Sequence, residues 1–163
     1  MTNKLEETQA EYQQFAREVE SLILGTVDLE GVPDTSYAPF VSDEARNFYI
    51  YVSGLSTHTQ NLENNPRASL LLIEDESKAR QIFARRRLSY NCTATLLPRD
   101  TSEWEAIVTL FQSRFGDIIE MFRSLPDFRI FKLVPQSGRF VVGFGAAYRI
   151  SSDNLDRLIQ MGE

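Results

Sequence analysis

The stretch STHTQNLENNP (residues 56–66) holds the only histidine of the 163-residue chain, His58. It lies among hydroxyls and amides: Ser53, Ser56, Thr57, Thr59, Gln60 and Asn61. The segment is too polar for a strand and ends in Pro66, so it reads as a short helix. A helix start offers free N–H donors and favours negative charge, so Thr57, His58 and Asn61 there can line an anion pocket. The alternative is that Ser56 or Thr57 simply caps the helix and His58 faces water. A second cationic focus is Arg85, Arg86 and Arg87 in ARRRL. Guanidinium groups bind phosphate or carboxylate in a bidentate manner. In a strand, Arg85 and Arg87 share one face and Arg86 takes the other. A solvated strand edge accounts for the same residues.

Other chemistries find little support. His58 and Cys92 are the only members of their types and stand 34 residues apart, which makes no zinc ligand set. The acidic run Glu74, Asp75, Glu76 lacks calcium-loop spacing. Neither G-x-S-x-G nor a Cys-His signature occurs. GFGAAY (143–148) follows a strand and lacks a third glycine, so it reads as backbone packing at a bend rather than a dinucleotide fingerprint. No metal site is expected, and no residue stands out as catalytic. The net charge of −6 and pI near 4.9 argue against a nucleic-acid partner. No apolar run approaches the roughly 20 residues that span a bilayer. With a polar N-terminus and one thiol, the expected setting is cytoplasmic, without a membrane.

The elements that must position these residues are short. Residues 3–22 read as an amphipathic helix, with Tyr12, Phe15, Val19 and Leu22 on a narrow stripe. Three strands in meander order follow, through turns at DLEGVP and SDEARN. Pro39 cannot donate to a ladder and predicts an edge or bulge in the second. The third, FYIYVS, alternates as a half-buried strand does. RASLLLIED is nearly all apolar and predicts a strand buried on both faces. ESKARQIF reads as a helical turn or loop, and RRRLSYNCTATLLP as a fifth strand. SEWEAIVTLFQSRF (102–115) is the clearest helix, capped by Thr101 or Ser102. FRIFKLVP and RFVVGFGAAYRI read as two strands joined through QSG, and SSDNLDRLIQ as a closing helix. The sum is one mostly β domain over 1–163, an α+β antiparallel barrel of six or seven strands. Its core covers about 22–151, with an N-terminal helix over 1–20 and a C-terminal helix over 152–161. A flat sandwich is the competing architecture.

Several segments in order resemble one known superfamily. YVSGLSTHTQNLENNPRASLLL and TVDLEGVPDTSYAPF are similar to the pyridoxamine 5′-phosphate oxidase-like flavoproteins. SYAPFV, NLExNP, IEDE, FARxRL, RFG, DF and GFGxAY resemble its haem-utilisation (HugZ/HutZ-type) branch. The resemblance implies a split β-barrel, a homodimer, and a small-molecule cofactor cleft at the subunit interface. On the flavin side it implies FMN, with oxidoreductase activity on an unidentified substrate. The FMN phosphate would then lie near Ser56, Thr57, His58 and Arg86 or Arg87, with Ser53 and Asn61 also among the cofactor-binding residues. The flavin ring would lie over Ser36, Tyr37, Ala38 and Pro39. Thr57 and His58 stand where the flavin oxidases carry an Arg-Lys pair, and Arg87 where they often carry glutamine. On the haem side it implies haem binding or degradation. Asp127 matches a haem-supporting acidic position there, while the axial histidine of that branch, beyond the last strand, has no counterpart here. A non-catalytic interaction module is a further reading of the same barrel.

Overall fold

The structure is a computed structural model and describes residues 3–161. Eight antiparallel strands form one sheet: β1 (Ser21–Val27), β2 (Pro33–Ser42), β3 (Phe48–Ser53), β4 (Arg67–Ile73), β5 (Arg87–Leu97), β6 (Phe128–Gly143), β7 (Ala146–Ile150) and β8 (Leu158–Gln160). Their order is β3-β2-β1-β4-β5-β6-β7-β8, and β3 also pairs with β6. That last pairing closes six strands into a barrel, with β7 and β8 as an extension. The closed barrel is therefore the architecture, not the flat sandwich.

The split in the barrel comes from two strands that change partner along their length. Residues 33–39 of β2 pair with β1, whereas 40–42 pair with β3. Pro39 sits at this changeover, where a missing N–H costs least. On β6, residues 128–133 pair with β3 and 138–143 with β7. β6 is thus one continuous 16-residue strand through QSG, where two strands were expected. Gly143 to Gly145 form the β6–β7 turn, with Gly145 at φ +64°, rather than a bend inside a strand.

The barrel interior holds Leu24, Phe40, Phe48, Ile50, Leu72, Leu88, Tyr90 and Phe140. Helix α1 (Lys4–Phe15) adds Tyr12 and Phe15, each 5.5 Å from the Phe140 ring. Helix α2 (Thr57–Asn64) adds Leu62. A second core lies outside the barrel. Helices α3 (Ser102–Phe115) and α4 (Ile118–Ser124) pack Trp104, Ile107, Val108, Phe111 and Ile119 against Tyr49, Tyr51 and Ile130.

This arrangement corrects several expectations. β3 is buried on both faces because α3 covers its tyrosines. β4 is buried on one face only: Leu70 and Leu72 point inward, while Ser69 is exposed and Leu71 half-exposed on an open outer face. α1 ends at Phe15, because Ser21 and Leu22 already belong to β1. Residues 152–161 carry no helix. Asn154 and Ser151 hydrogen bonds form a turn, and Leu158–Gln160 then add to β7 as β8. α4 was not anticipated. Among the described residues, no helix is long and apolar enough to cross a membrane.

Candidate functional site

The histidine corner forms where α2 meets β2. Ser56 precedes α2 and makes no side-chain cap bond, but its carbonyl accepts from the Thr59 and Gln60 amides. Nδ1 of His58 lies 2.8 Å from Oγ of Ser36. Ser36 lies opposite the buried Leu24 and so belongs to the inner face of β2. Burial lowers the proton affinity of His58, and Asp34 offsets this in part. The imidazole is therefore neutral near pH 7. Thr57 is exposed. Asn61 is buried and donates to Thr26 Oγ1 at 3.0 Å, so it ties α2 to β1 and offers no amide to a ligand.

A second polar corner joins β3 to β6. Ser53 Oγ donates to Asp127 at 3.3 Å, and Thr59 Oγ1 donates to the Ser53 carbonyl at 2.6 Å. A Cβ on Gly54 would stand 2.7 Å from the Asp127 carbonyl oxygen. Glycine is what allows the two backbones to meet there. Arg129 beside them pairs with Glu63 at 2.6 Å.

The three arginines have separate fates. Arg86 is not in a strand and is not open to an anion. Its guanidinium pairs with Glu11 at 2.7 Å, Glu74 at 3.0 Å and Glu18 at 3.1 Å. Three carboxylates around one cation more than neutralise its charge, which disfavours a phosphate there. Arg87 opens β5 on its outer face and donates to the Arg85 carbonyl. Arg85 donates twice to the Glu74 carbonyl and stands 3.5 Å from the exposed Glu76. Within one subunit, His58 and Arg87 thus lie on opposite faces of the sheet.

A cleft of about 830 Å³ opens on that outer face. Its floor is apolar: Tyr37, Ile23 and Leu71, directly paired across β2, β1 and β4, together with Ile73. Its rim carries Arg17, Lys78, Arg85, Arg86 and Arg114, interspersed with the carboxylates Glu18, Glu20, Glu74 and Asp75. Arg17, Lys78 and Arg114 form no ion pair among the described residues. Arg114 donates to the Phe40 and Val19 carbonyls, which fix it without neutralising it. Ala38 and Pro39 are not among the lining residues: Ala38 points inward and is buried. Sequence reasoning missed this rim, because Arg17, Lys78 and Arg114 come from three separate segments. The acidic residues Glu11 on α1 and Glu18 just beyond it were the available hint that Arg86 would be consumed.

The pyridoxamine 5′-phosphate oxidase family model matches residues 8–142. The chain belongs to this family. HutZ of Vibrio cholerae, named a haem oxygenase, is 40% identical over 153 residues, covering 94% of this chain and 86% of HutZ. A crystal structure of HutZ, there called a haem storage protein, superposes with a TM-score of 0.78 at 38% identity, over 83% of this chain and 96% of that one. ChuZ of Campylobacter jejuni superposes with a TM-score of 0.87 at 34% identity. That match covers 99% of this chain but only 65% of ChuZ.

The Tyr37, Ile23 and Leu71 floor can carry a flat apolar ring, and the rim of mixed cations and carboxylates can meet polar groups at its edge. A flavin phosphate is a poorer match at the His58 corner, where a hydroxyl and a neutral imidazole supply no fixed positive charge. Cys92 is also unsuited to metal or redox work: burial pushes its thiol up to about 12, so no thiolate forms at neutral pH.

Proposed function

We propose that this chain is a haem-handling protein that holds haem in the outer-face cleft, with a second copy of the chain closing over it. The single observation that carries the reading is the apolar floor of Tyr37, Ile23 and Leu71 beneath a rim that holds Arg17, Lys78 and Arg114 as well as Glu18, Glu20 and Asp75. The names of HutZ as haem oxygenase and haem storage protein support it. Haem supplies redox-active iron. The residues of this chain supply burial of the ring and ion pairs to its propionates. Ser53 and Asp127 form a hydrogen-bonded pair that can orient water or pass a proton, but they do not line this cleft within one chain.

A homodimer fits the same surface. The outer face of β2, β1 and β4 carries a directly paired apolar row beside the small residues Gly25 and Ser69. Open antiparallel faces are usually polar, and an apolar one calls for a cover.

Titration of ferric haem into the purified chain tests the reading. Saturable binding with a sharp Soret band is expected. The double substitution Arg17→Glu and Lys78→Glu should weaken it by about tenfold or more, because two propionate partners become repulsive. If FMN binds saturably and haem does not, the flavin reading replaces this one. Biliverdin-type product on adding reductant and oxygen separates degradation from storage.

A further inference from the structure

Away from the cleft, the outer face of β5 to β8 carries a stripe of arginines, and we propose that it docks an acidic segment of a partner protein. Strand register puts the stripe together. Arg139 on β6 lies directly opposite Arg149 on β7. Their neighbours Phe140, Tyr148 and Ile150 fill the barrel interior, so both arginines belong to the outer face. Arg87 on β5 pairs with Val141 and is therefore the diagonal neighbour of Arg139. Arg157 directly precedes β8, and its carbonyl accepts from the Ser151 amide. Ile159 lies opposite Arg149, which makes Arg157 the diagonal neighbour of Arg149. With strands about 4.8 Å apart and a rise of about 3.3 Å per residue, this diagonal is about 20 Å long.

Arg139, Arg149 and Arg157 are exposed, and Arg87 is half-buried. Among the described residues none of these arginines forms an ion pair. The outer-face positions between them are uncharged: Ser89, Val141, Ala147 and Ile159. In the adjoining turns, Asp156 is taken by Arg46, Glu76 by Arg85 and Glu74 by Arg86, while Asp153 forms no ion pair. Like charges directly opposite each other destabilise an antiparallel pair. The chain nevertheless sets Arg139 against Arg149, although its net charge is −6. Carboxylates supplied from outside relieve that repulsion, and guanidinium groups bind them in a bidentate manner. The stripe is open, and none of its arginines lines the cleft over Tyr37, Ile23 and Leu71. An open row suits an extended chain better than an enclosed small molecule. About six extended residues span its length. Beyond the roughly 8 Å screening length at physiological salt, the acidity of the rest of the chain is damped.

The test uses the intact chain and a fluorescent hexaglutamate peptide as probe. Saturable binding that weakens as salt rises is expected. Arg139→Glu should weaken it by about tenfold or more. The same substitution turns the like-charge pair with Arg149 into an opposite-charge one, so its thermal midpoint should hold or rise. Binding lost from a chain that is no less stable separates docking from folding. Arg67→Glu makes the same change in net charge at an exposed arginine off the stripe, and should leave the affinity nearly unchanged. No binding by the wild type, or equal losses in Arg139→Glu and Arg67→Glu, overturns the docking surface. A change of sedimentation mass in Arg139→Glu assigns the stripe to contact between copies of this chain and overturns the external partner. So does binding to phosphatidylserine vesicles, lost in Arg139→Glu, in place of binding to the peptide.

Discussion

At the residue scale, the hydroxyl of Tyr51 shows how the second core was assembled. Its ring meets Trp104, Phe111, Phe122 and Phe128 at centroid distances of 5.5 to 6.5 Å. Its Oη is buried and has no hydrogen-bond partner. Leaving a buried hydroxyl unpaired costs about 1–3 kcal/mol, whereas the aromatic contacts do not need it. Tyr51→Phe should therefore stabilise the fold by about 1 kcal/mol, read as a higher urea midpoint at unchanged slope. A loss of stability would mean that the hydroxyl has a role in this core. The same residue explains a misreading of the sequence. FYIYVS alternates apolar with tyrosine, which resembles a half-wet strand. Tyrosine carries enough aromatic area to be buried under α3, so polarity at one atom misled the pattern. His58 is the converse case. Its neighbours correctly predicted a helix start, but the partner that holds its ring, Ser36, lies 22 residues earlier and is invisible in local spacing.

At the element scale, one ion cluster fastens α1 to the barrel. Glu74 is at the end of β4, and Glu11 and Glu18 lie on and just beyond α1. All three converge on Arg86, which also stacks over Phe15 at 5.3 Å. Burial pushes the Glu74 carboxyl up, but the amide and guanidinium of Arg86 outweigh this and hold it below the ordinary carboxylate range. A depressed carboxyl stabilises the fold above its unfolded value, near 4.5, and the contribution fades as pH falls through the folded value. Arg86→Met would leave Glu74, only 9% exposed, without its counter-ion. Because Arg86 is itself partly open to water, we expect a loss of about 2–3 kcal/mol rather than the full penalty of a deeply buried pair. Amide exchange should rise first in α1. Adding Glu74→Gln should recover part of the loss at neutral pH, since an unpaired amide is cheaper to bury than a carboxylate. Equal destabilisation with and without Glu74→Gln would show that Arg86 acts through Phe15 instead.

At the scale of the whole molecule, the barrel was legible and its covered faces were not. Strand positions follow from alternation and turn residues such as Gly31 and Pro33. Whether a strand is covered once or twice depends on what packs over it, as α3 does over β3. β4 poses this question in the opposite sense. Its outward Leu71 stands beside Ile23 and Tyr37 with no element among the described residues over them, although RASLLLI reads as a strand buried on both faces. A twofold pairing of two such faces would bury the row and satisfy the pattern that the sequence carries. It would also close the cleft rim against water, which strengthens every ion pair to a propionate. The expected sedimentation mass is twice 18.7 kDa. Ile23→Lys, at a position already 39% exposed, should leave the fold intact and halve that mass, because a charge at the centre of an apolar contact has no partner. Haem affinity should fall in the same variant if the second copy completes the cleft. A wild-type mass of one chain would sink the dimer, and the open row on β1 and β4 would then belong to the ring of the ligand alone.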